Sequence, residues 1–367
     1  MSIQSLIPKY ICDIAPYQGG KPIAELAREY QLEESSIVKL ASNENPLGMS
    51  PKAREVILKS IDEIYRYPDG NAFQLKKAVS LKFNLHPDSL IFGNGSNDIL
   101  ELSARTFLKV GDEAIFSQHA FAVYSLVTQS MGAIGVKVPA KDFAHDLAKM
   151  FAVITSKTKM IFIANPNNPT GTLIARDELK AFLMKIPPHI IVVLDEAYDE
   201  YLDTEYKSVS FSWLSQFPNL IISRTFSKAY GLAGIRLGIC YASEAVISIL
   251  NKIKPPYNVN ELTQKRALER LANPTQIKEE INSIIAQREQ LLKVLNEVNF
   301  VSNIYPTEAN FILIKVDNAN QRYDELIAKG IVIRNRTTQP LCENTLRLTI
   351  GTEEENQKLI AALKSLN

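Results

Sequence analysis

The chain has 367 residues, of which 46% are hydrophobic and 22% charged, with 15 glycines and 18 prolines. This ordinary composition excludes a disordered, collagen-like or disulfide-scaffold protein, and the length predicts two domains because a single core stops growing near about 250 to 300 residues. The 41 basic and 40 acidic side chains leave a formal net charge of +1. No global field therefore favours nucleic acid or an anionic membrane as a partner.

The cysteines and the apolar runs bear on the cellular compartment. Cys12, Cys240 and Cys342 are far apart and odd in number, which is typical neither of a disulfide framework nor of a zinc motif. Residues 1–18 interleave charged residues and proline with apolar ones, and the apolar runs elsewhere are shorter than the roughly 20 residues of a membrane span. We therefore expect a soluble, cytoplasmic protein.

Short apolar runs alternate with helical segments between residues 89 and 242. Runs without polar alternation are typical of strands that are buried on both faces of a mainly parallel sheet. This pattern predicts a large three-layer α/β/α domain. The runs span residues 90–92, 114–116, 160–163, 190–194, 220–222 and 235–241.

A domain boundary is predicted near residues 254–258, because the adjacent Pro255 and Pro256 exclude helix there. The pattern beyond it predicts a smaller α+β domain. Its expected elements are a helical stretch at 261–298 with a break near Pro274, strands at 310–316, 331–334 and 345–350, and helices at 321–329 and 353–366. We therefore divide the chain into an arm at 1–45 that joins the small domain, a large domain at 46–255 and a small domain at 256–367.

Polar residues follow four of the apolar runs, at the sheet edge where parallel α/β proteins bind ligands. After the first run, Gly93 and Gly95 permit a tight turn, Ser96 is placed to cap the next helix, and the free amides there offer a site for phosphate. A capped turn without a ligand is the alternative. Residues 165–171, NPNNPTG, follow the third run and are equally compatible with a purely structural turn.

A carboxylate and a lysine follow the next two runs. Asp195 abuts five apolar residues, where a buried charge needs a cationic partner such as a pyridinium nitrogen; an aspartate that caps the next segment is the alternative. Lys228 lies among small and apolar neighbours, which favour a neutral, nucleophilic amine. Thr225, Ser227 and Arg236 supply donors for a phosphate. A lysine, an acid and a phosphate cup are together what pyridoxal phosphate requires.

The order of these motifs resembles that of the fold-type I pyridoxal-phosphate-dependent aminotransferases. The motifs are NPTG, DEAY, SK and an arginine eight residues past the lysine. Within this class the chain resembles the histidinol-phosphate aminotransferase family, in residues 15–22, 41–46, 66–69, 306–311 and 346–352. The resemblance implies a homodimer that uses pyridoxal 5'-phosphate to convert L-histidinol phosphate and 2-oxoglutarate into imidazole-acetol phosphate and L-glutamate, in histidine biosynthesis.

The resemblance also implies a role for each matching residue around the cofactor. Lys228 binds the cofactor and moves a proton, Asp195 keeps the pyridine nitrogen protonated, and Asn168 and Tyr198 hydrogen-bond the phenolic oxygen. Phe121 stacks on the pyridine ring, with a plain core aromatic as the alternative. The implied contacts of the cofactor phosphate are Ser96, Asn97, Thr225, Ser227 and Arg236, together with Tyr67 from the neighbouring subunit.

Substrate binding is implied for Arg347, with Arg334 as its helper, because a planar guanidinium binds carboxylate and phosphate alike. Alternation places Arg347 on the strand face opposite Leu346 and Leu348; a solvent-facing arginine is the alternative. Tyr17 resembles part of a lid over the substrate, which reads Gln18-Gly19-Gly20 here, whereas many relatives have proline before the glycine of the Gly-Lys-Pro motif, at the position of Gly19. No metal is expected, since the histidines at positions 86, 119, 145 and 189 lack ligand spacing.

Other functions remain open at the level of sequence. Aromatic aminotransferases and a decarboxylase of O-phosphothreonine resemble this chain in their cofactor-binding residues. A decarboxylase differs in the orientation of the substrate carboxyl bond, which no motif reveals. A cofactor-binding regulator without turnover is a further alternative, although such proteins usually need a partner-binding module and none is evident before Ser42.

Overall fold

The protein is described here by a computed structural model that covers residues 3–17, 19–203 and 209–367. Its strands are β1 (Val38–Lys39), β2 (Leu90–Gly93), β3 (Glu113–Ser117), β4 (Ile134–Val138), β5 (Thr158–Ala164), β6 (Ile191–Asp195), β7 (Leu220–Thr225), β8 (Gly238–Ala242), β9 (Val301–Ile304), β10 (Phe311–Val316), β11 (Ile331–Val332), β12 (Arg334–Asn335) and β13 (Thr345–Thr349). Its α-helices are α1 (Lys9–Cys12), α2 (Ile23–Tyr30), α3 (Pro51–Ser60), α4 (Phe73–Phe83), α5 (Ser96–Phe107), α6 (Ala122–Ser130), α7 (Leu147–Ala152), α8 (Arg176–Lys185), α9 (Glu244–Ile253), α10 (Glu261–Leu271), α11 (Pro274–Leu295), α12 (Ala319–Ala328) and α13 (Glu353–Lys364).

The large sheet has the strand order β2-β8-β7-β6-β5-β3-β4. All six apolar runs form strands of this sheet, and β8 alone pairs antiparallel with its neighbours β2 and β7. The predicted mainly parallel sheet is therefore confirmed. The edge strand β4 was not predicted, because most of its residues are exposed and form no continuous apolar run.

Side chains of this sheet enter two separate cores. On β5, Ile161 and Ile163 belong to one hydrophobic cluster, whereas Met160 and Phe162 belong to another. Successive side chains of a strand point to opposite faces, so the sheet is covered by helices on both sides. The predicted three-layer α/β/α architecture is confirmed.

The C-terminal region forms a second, antiparallel sheet in the order β12-β13-β10-β9. The strand predicted at 331–334 is divided at Ile333: β11 pairs in parallel with β1 of the arm, and β12 pairs with β13. The two-residue β1 was too short to be recognised from sequence. Because these contacts join the arm to the C-terminal region, they support the three-part division of the chain, which stays a prediction.

The strand directions place the polar residues at one edge of the large sheet. Thr225 at the end of β7 and Gly93 at the end of β2 both pair with Gly238, the first residue of the antiparallel β8. β8 begins at Gly238 instead of the predicted residue 235, since Arg236 adopts a left-handed φ of 62°. In the described parts of the chain, no helix is long and apolar enough to cross a membrane.

Candidate active site

Lys228 lies in the loop between β7 and β8, beyond the carboxyl end of the sheet. Its Nζ donates a hydrogen bond of 3.0 Å to the carbonyl oxygen of Ser42. Burial, followed by the positive charge of Arg347, lowers the pKa of the Lys228 ammonium to about 8. A substantial fraction of this amine is therefore neutral near physiological pH, as its apolar surroundings predicted.

Asp195 ends β6, two strands from β8, and is 5% exposed. Tyr124 of α6 donates a hydrogen bond of 2.7 Å from its hydroxyl to Asp195 Oδ2, while the buried Oδ1 has no partner. Burial raises the pKa of Asp195 to about 6, and the bond from Tyr124 opposes this rise. The alternative of a helix cap is wrong, because the next helical turn begins at Asp199 with Tyr198 as its N-cap.

An anion cup forms where β2, β7 and β8 meet. Arg236 Nη1 donates to Ser227 Oγ at 3.3 Å and to the carbonyl of Ala233 at 2.8 Å, and the Ser227 amide donates to Thr225 Oγ1 at 3.1 Å. Gly95 lies on the opposite wall, where its left-handed φ of 91° favours glycine and an added Cβ would meet the Arg236 guanidinium. The free amides at the start of α5 also lie on this wall.

The start of α5 differs from the prediction in one respect. Ser96 is the first helical residue, and the N-cap is Gly95, whose φ of 91° is left-handed. Glycine adopts such a φ at little energetic cost, which allows the backbone to approach β8 closely. Ser96 is therefore not the cap, and Asn97 is exposed at the second position of the helix.

Tyr198 and Asn168 are each held by a neighbour from another part of the chain. The hydroxyl of Tyr198 accepts a hydrogen bond of 2.9 Å from Asn43 Nδ2, and Asn168 Oδ1 accepts one of 2.7 Å from Arg347 Nη1. Asn43 is anchored in turn by Thr349, to which its backbone amide donates at 3.0 Å. Tyr124 and Asn43 are site residues that sequence reasoning missed, although Asn43 falls within the motif at 41–46.

Arg347 lies on β13 and is only 6% exposed, so the alternative of a solvent-facing arginine is wrong. Its Nη2 donates to the carbonyl of Ala41 at 2.8 Å, and its buried Nε has no partner. Arg334 is its direct cross-strand neighbour. Tyr17 is 58% exposed and close enough to affect the pKa of Arg347 and Tyr198; Gln18 lies outside the described residues.

The two remaining aromatic candidates differ in their surroundings. Phe121 is half-buried as the N-cap of α6 and meets Tyr124 edge to face, with ring centroids 6.0 Å apart. Its ring is thus joined through Tyr124 to Asp195. Tyr67 is 84% exposed and stacks on Tyr257 at 4.7 Å, so a single chain does not bring it into the group around Lys228.

These features fit pyridoxal phosphate. The cup offers backbone amides, hydroxyls and a guanidinium to a phosphate, and the unpartnered Oδ1 of Asp195 suits a protonated ring nitrogen. Lys228 supplies an amine of lowered pKa for a covalent link. The open sheet with this edge defines a fold-type I transferase.

The chain belongs to the aminotransferase class I and II family, whose family model matches residues 35–363. It is 49% identical over 359 residues to the histidinol-phosphate aminotransferase of Methylobacillus flagellatus, covering 98% of this chain and 96% of the relative. It is 45% identical to histidinol-phosphate aminotransferase 2 of Nitrosospira multiformis, covering 99% and 92%. The predicted aminotransferase family is thus confirmed.

The fold is likewise similar to solved structures. The histidinol-phosphate aminotransferase of Sinorhizobium meliloti, solved in complex with pyridoxal-5'-phosphate, superposes with a TM-score of 0.90 and covers 99% of both chains. At 24% sequence identity this likeness establishes the fold. The predicted fold-type I class is therefore confirmed.

Proposed function

We propose that this protein uses pyridoxal 5'-phosphate to transfer the amino group of L-histidinol phosphate to 2-oxoglutarate, forming imidazole-acetol phosphate and L-glutamate in histidine biosynthesis. The observation that carries the substrate is the 49% identity to a histidinol-phosphate aminotransferase over nearly the whole chain. The buried arginine Arg347, which binds no carboxylate among the described residues, supports an anionic substrate group at this site.

The cofactor is held by residues from three sides of the site. Arg236, Ser227, Thr225 and the amides of Ser96 and Asn97 would bind its phosphate. Asp195 would pair with the ring nitrogen, Phe121 would stack on the ring, and Asn168 and Tyr198 would bind the phenolic oxygen. When bound, pyridoxal phosphate supplies an electrophilic carbon for the substrate amine and a ring that accepts the electron pair left when the substrate loses its proton.

The proton steps belong to Lys228. Its amine would attach the cofactor in the resting protein, and its Nζ would accept the proton that the substrate loses and later release it. The pKa of about 8 leaves this amine able both to accept and to release a proton near neutral pH. Asp195 stays ionised at neutral pH, because its pKa of about 6 lies below it.

One pocket serves both substrates in this proposal. L-Histidinol phosphate presents a phosphate, and glutamate presents carboxylates, so the two anions reach the same guanidinium in alternate half-reactions. Arg347 is fixed for this task by its bonds to Asn168 and to the Ala41 carbonyl. Arg334 lies opposite it, and the phenol of Tyr17 is near enough to affect the pKa of Arg347.

The direct test is the absorbance of the purified holoprotein as L-histidinol phosphate is added without a keto acid. We expect rapid loss of the visible cofactor band and release of imidazole-acetol phosphate. The spectrum could instead stay unchanged with L-histidinol phosphate while phenylalanine or glutamate converts the bound cofactor. The protein would then be an aminotransferase that does not use L-histidinol phosphate. Release of carbon dioxide from O-phosphothreonine would instead favour the decarboxylase.

The proposal includes a homodimer in which Tyr67 reaches the cofactor phosphate of the neighbouring subunit. Four large apolar side chains from α3 to Tyr67 are exposed, namely Leu58, Ile61, Ile64 and Tyr65. Exposed apolar side chains close together in the chain support a subunit interface in this segment. Analytical ultracentrifugation that finds only monomers at micromolar concentration would contradict this part.

We also propose a cytoplasmic location. Cys240 and Cys342 are buried and form no disulfide among the described residues. Proteins that fold in oxidising compartments usually pair their cysteines, so these two buried thiols support a reducing compartment. Cell fractionation with an antibody to the protein tests this location, and recovery from an oxidising compartment would overturn it.

A further inference from the structure

Three arginines share one face of the small sheet. Arg334 on β12 lies directly opposite Arg347 on β13. The ladder continues past β12, because the backbone amide of Arg336 donates to the carbonyl of Thr345 at 2.9 Å. Residues two apart on a strand point to the same side, so Arg336 joins Arg334 and Arg347 on one face.

The arginine cluster formed by Arg334, Arg336 and Arg347 includes two guanidinium groups without an acidic partner in the described part of the chain. Within residues 3–17, 19–203 and 209–367, neither Arg336 nor Arg347 forms an ion pair with a carboxylate. Arg347 is 94% buried, and its Nε has no hydrogen-bond partner. Like charges opposite each other in a sheet repel, and buried charges require partners. The cluster is therefore built to receive an anion.

Arg336 is the member of the cluster to which the family resemblance gives no role. Its Nε donates to Gln339 Oε1 at 3.1 Å. Burial and the positive charges of Arg347 and Arg334 lower the pKa of its guanidinium to about 10. Because Arg336 is two residues beyond Arg334 on the same ladder, it lies beside the proposed substrate pocket.

We propose that Arg336 is a specificity-determining residue, which adds a further guanidinium to Arg334 and Arg347 and so favours donors that carry a phosphate dianion over donors that carry only carboxylates. The proposal rests on the proposed function. A phosphate dianion has two charges and three acceptor oxygens, whereas a carboxylate has one charge and two oxygens. A pocket with an added guanidinium therefore gains more from phosphate than from carboxylate.

The test compares Arg336→Gln with the unmodified holoprotein. We expect kcat/KM for L-histidinol phosphate to fall about 10- to 100-fold, as for the loss of a charge-assisted contact, and kcat/KM for L-glutamate to fall less than about threefold. An equal fall for both donors would overturn the proposal. Arg105→Gln, on the exposed end of α5, is the matched control and leaves both values unchanged.

A binding measurement separates Arg336 from the identity of the substrate. Inorganic phosphate is titrated by calorimetry into the holoprotein, in which the cofactor already fills the cup. We expect the dissociation constant for phosphate to rise about 10-fold or more in Arg336→Gln. An unchanged constant would overturn the role of Arg336. If L-histidinol phosphate is not a substrate but this constant rises, the proposed function fails and the anion role of Arg336 stands.

A second variant, Arg336→Lys, tests the proposal if Arg336→Gln does not fold. Arg336→Lys retains the charge and loses the planar fork. We expect an intermediate fall in the preference for L-histidinol phosphate over L-glutamate, with circular dichroism and cofactor absorbance like those of the unmodified protein. A preference equal to that of the unmodified protein, combined with unchanged phosphate affinity, would overturn the proposal.

Discussion

Tyr124 donates a hydrogen bond of 2.7 Å to Asp195 Oδ2, and the other carboxylate oxygen, Oδ1, is buried without a partner. The tyrosine ring is itself fixed by stacking on Phe162 at 4.9 Å. One oxygen of Asp195 is thus held in place while the other is left for a ligand. This arrangement orients the carboxylate before any cofactor binds.

Tyr124→Phe removes this hydroxyl and keeps the stacked ring. Because the hydrogen bond from Tyr124 lowers the pKa of Asp195, its loss raises that pKa above about 6. We expect the affinity of the apoprotein for pyridoxal phosphate to fall about 10-fold. The acid flank of the pH dependence of this affinity moves to higher pH, since the ionised carboxylate is the form that we propose binds the ring nitrogen.

The measurement for this variant is a spectroscopic titration of apoprotein with pyridoxal phosphate between pH 5 and 8. Tyr323→Phe, on α12, is the matched control, because it removes a phenol hydroxyl whose electrostatic neighbours include Arg334 but neither Asp195 nor Tyr124. A pH profile identical to that of the unmodified protein would show that Tyr124 does not control Asp195.

Lys228→Ala removes the amine that we propose attaches the cofactor and carries the proton. We expect loss of covalently held cofactor and of turnover, with the circular dichroism spectrum unchanged. The measurement is visible absorbance after dialysis, followed by an assay with L-histidinol phosphate and 2-oxoglutarate. Lys185→Ala, an exposed residue at the end of α8, is the control and retains both properties. Normal turnover of Lys228→Ala contradicts the proton role.

Lys228 also makes the apoprotein less stable at neutral pH. Its pKa falls from 10.5 in the unfolded chain to about 8 in the native state. The unfolded chain therefore binds more protons between these values, so stability rises as the pH increases from about 8 to 10.5. Lys228→Met abolishes this rise and stabilises the apoprotein at pH 7 by up to about 3 kcal/mol. Urea unfolding of both apoproteins at pH 7 and 10 measures the difference; equal pH dependence contradicts it.

Arg347→Ala tests whether the two substrates share one anion site. We expect kcat/KM to fall about 100-fold for both L-glutamate and L-histidinol phosphate, since each loses a charge-assisted, forked contact. Steady-state kinetics with each donor is the measurement. An effect on only one donor refutes the shared site.

Mixed dimers test the placement of Tyr67. If Tyr67 acts across the interface, a dimer of one Lys228→Ala subunit and one Tyr67→Ala subunit contains one site with both native residues and one site with neither. The two variants are inactive or weakened when each is measured alone. We expect activity to return when they are unfolded and refolded together, and the recovered activity to correspond to at most one working site per mixed dimer. No gain over the separate variants contradicts contribution in trans.

Residues that follow buried strands were located from the sequence, because an apolar run ends where the sheet edge begins. Asp195 and Lys228 were found in this way. Asn43 was not, since it meets Tyr198 only through folding, 155 residues away along the chain. Tyr124 has the same explanation: its apolar neighbours predict a core helix, and nothing local reveals the carboxylate that its hydroxyl reaches.

The anion cup shows a second reason why the sequence alone did not predict every feature of the site. A turn with Gly93 and Gly95 was expected, but Ser96 was assigned the capping position that Gly95 occupies. A serine is the commoner cap, and only the close approach of β8 explains the glycine. A Cβ at Gly238 would collide with the backbone of Gly95 and Ser96. This constraint comes from the tertiary structure, so the local sequence does not reveal it.

The division of one segment between two sheets at Ile333 has an evolutionary consequence. β11 is bound to the arm through β1, and Arg334 stands one residue beyond Ile333 on the adjoining strand. A displacement of the arm is therefore transmitted along a few covalent bonds to the arginine cluster. Substitutions in the arm are thus a route by which descendants of this chain can change their choice of amino donor while every arginine of the pocket is retained.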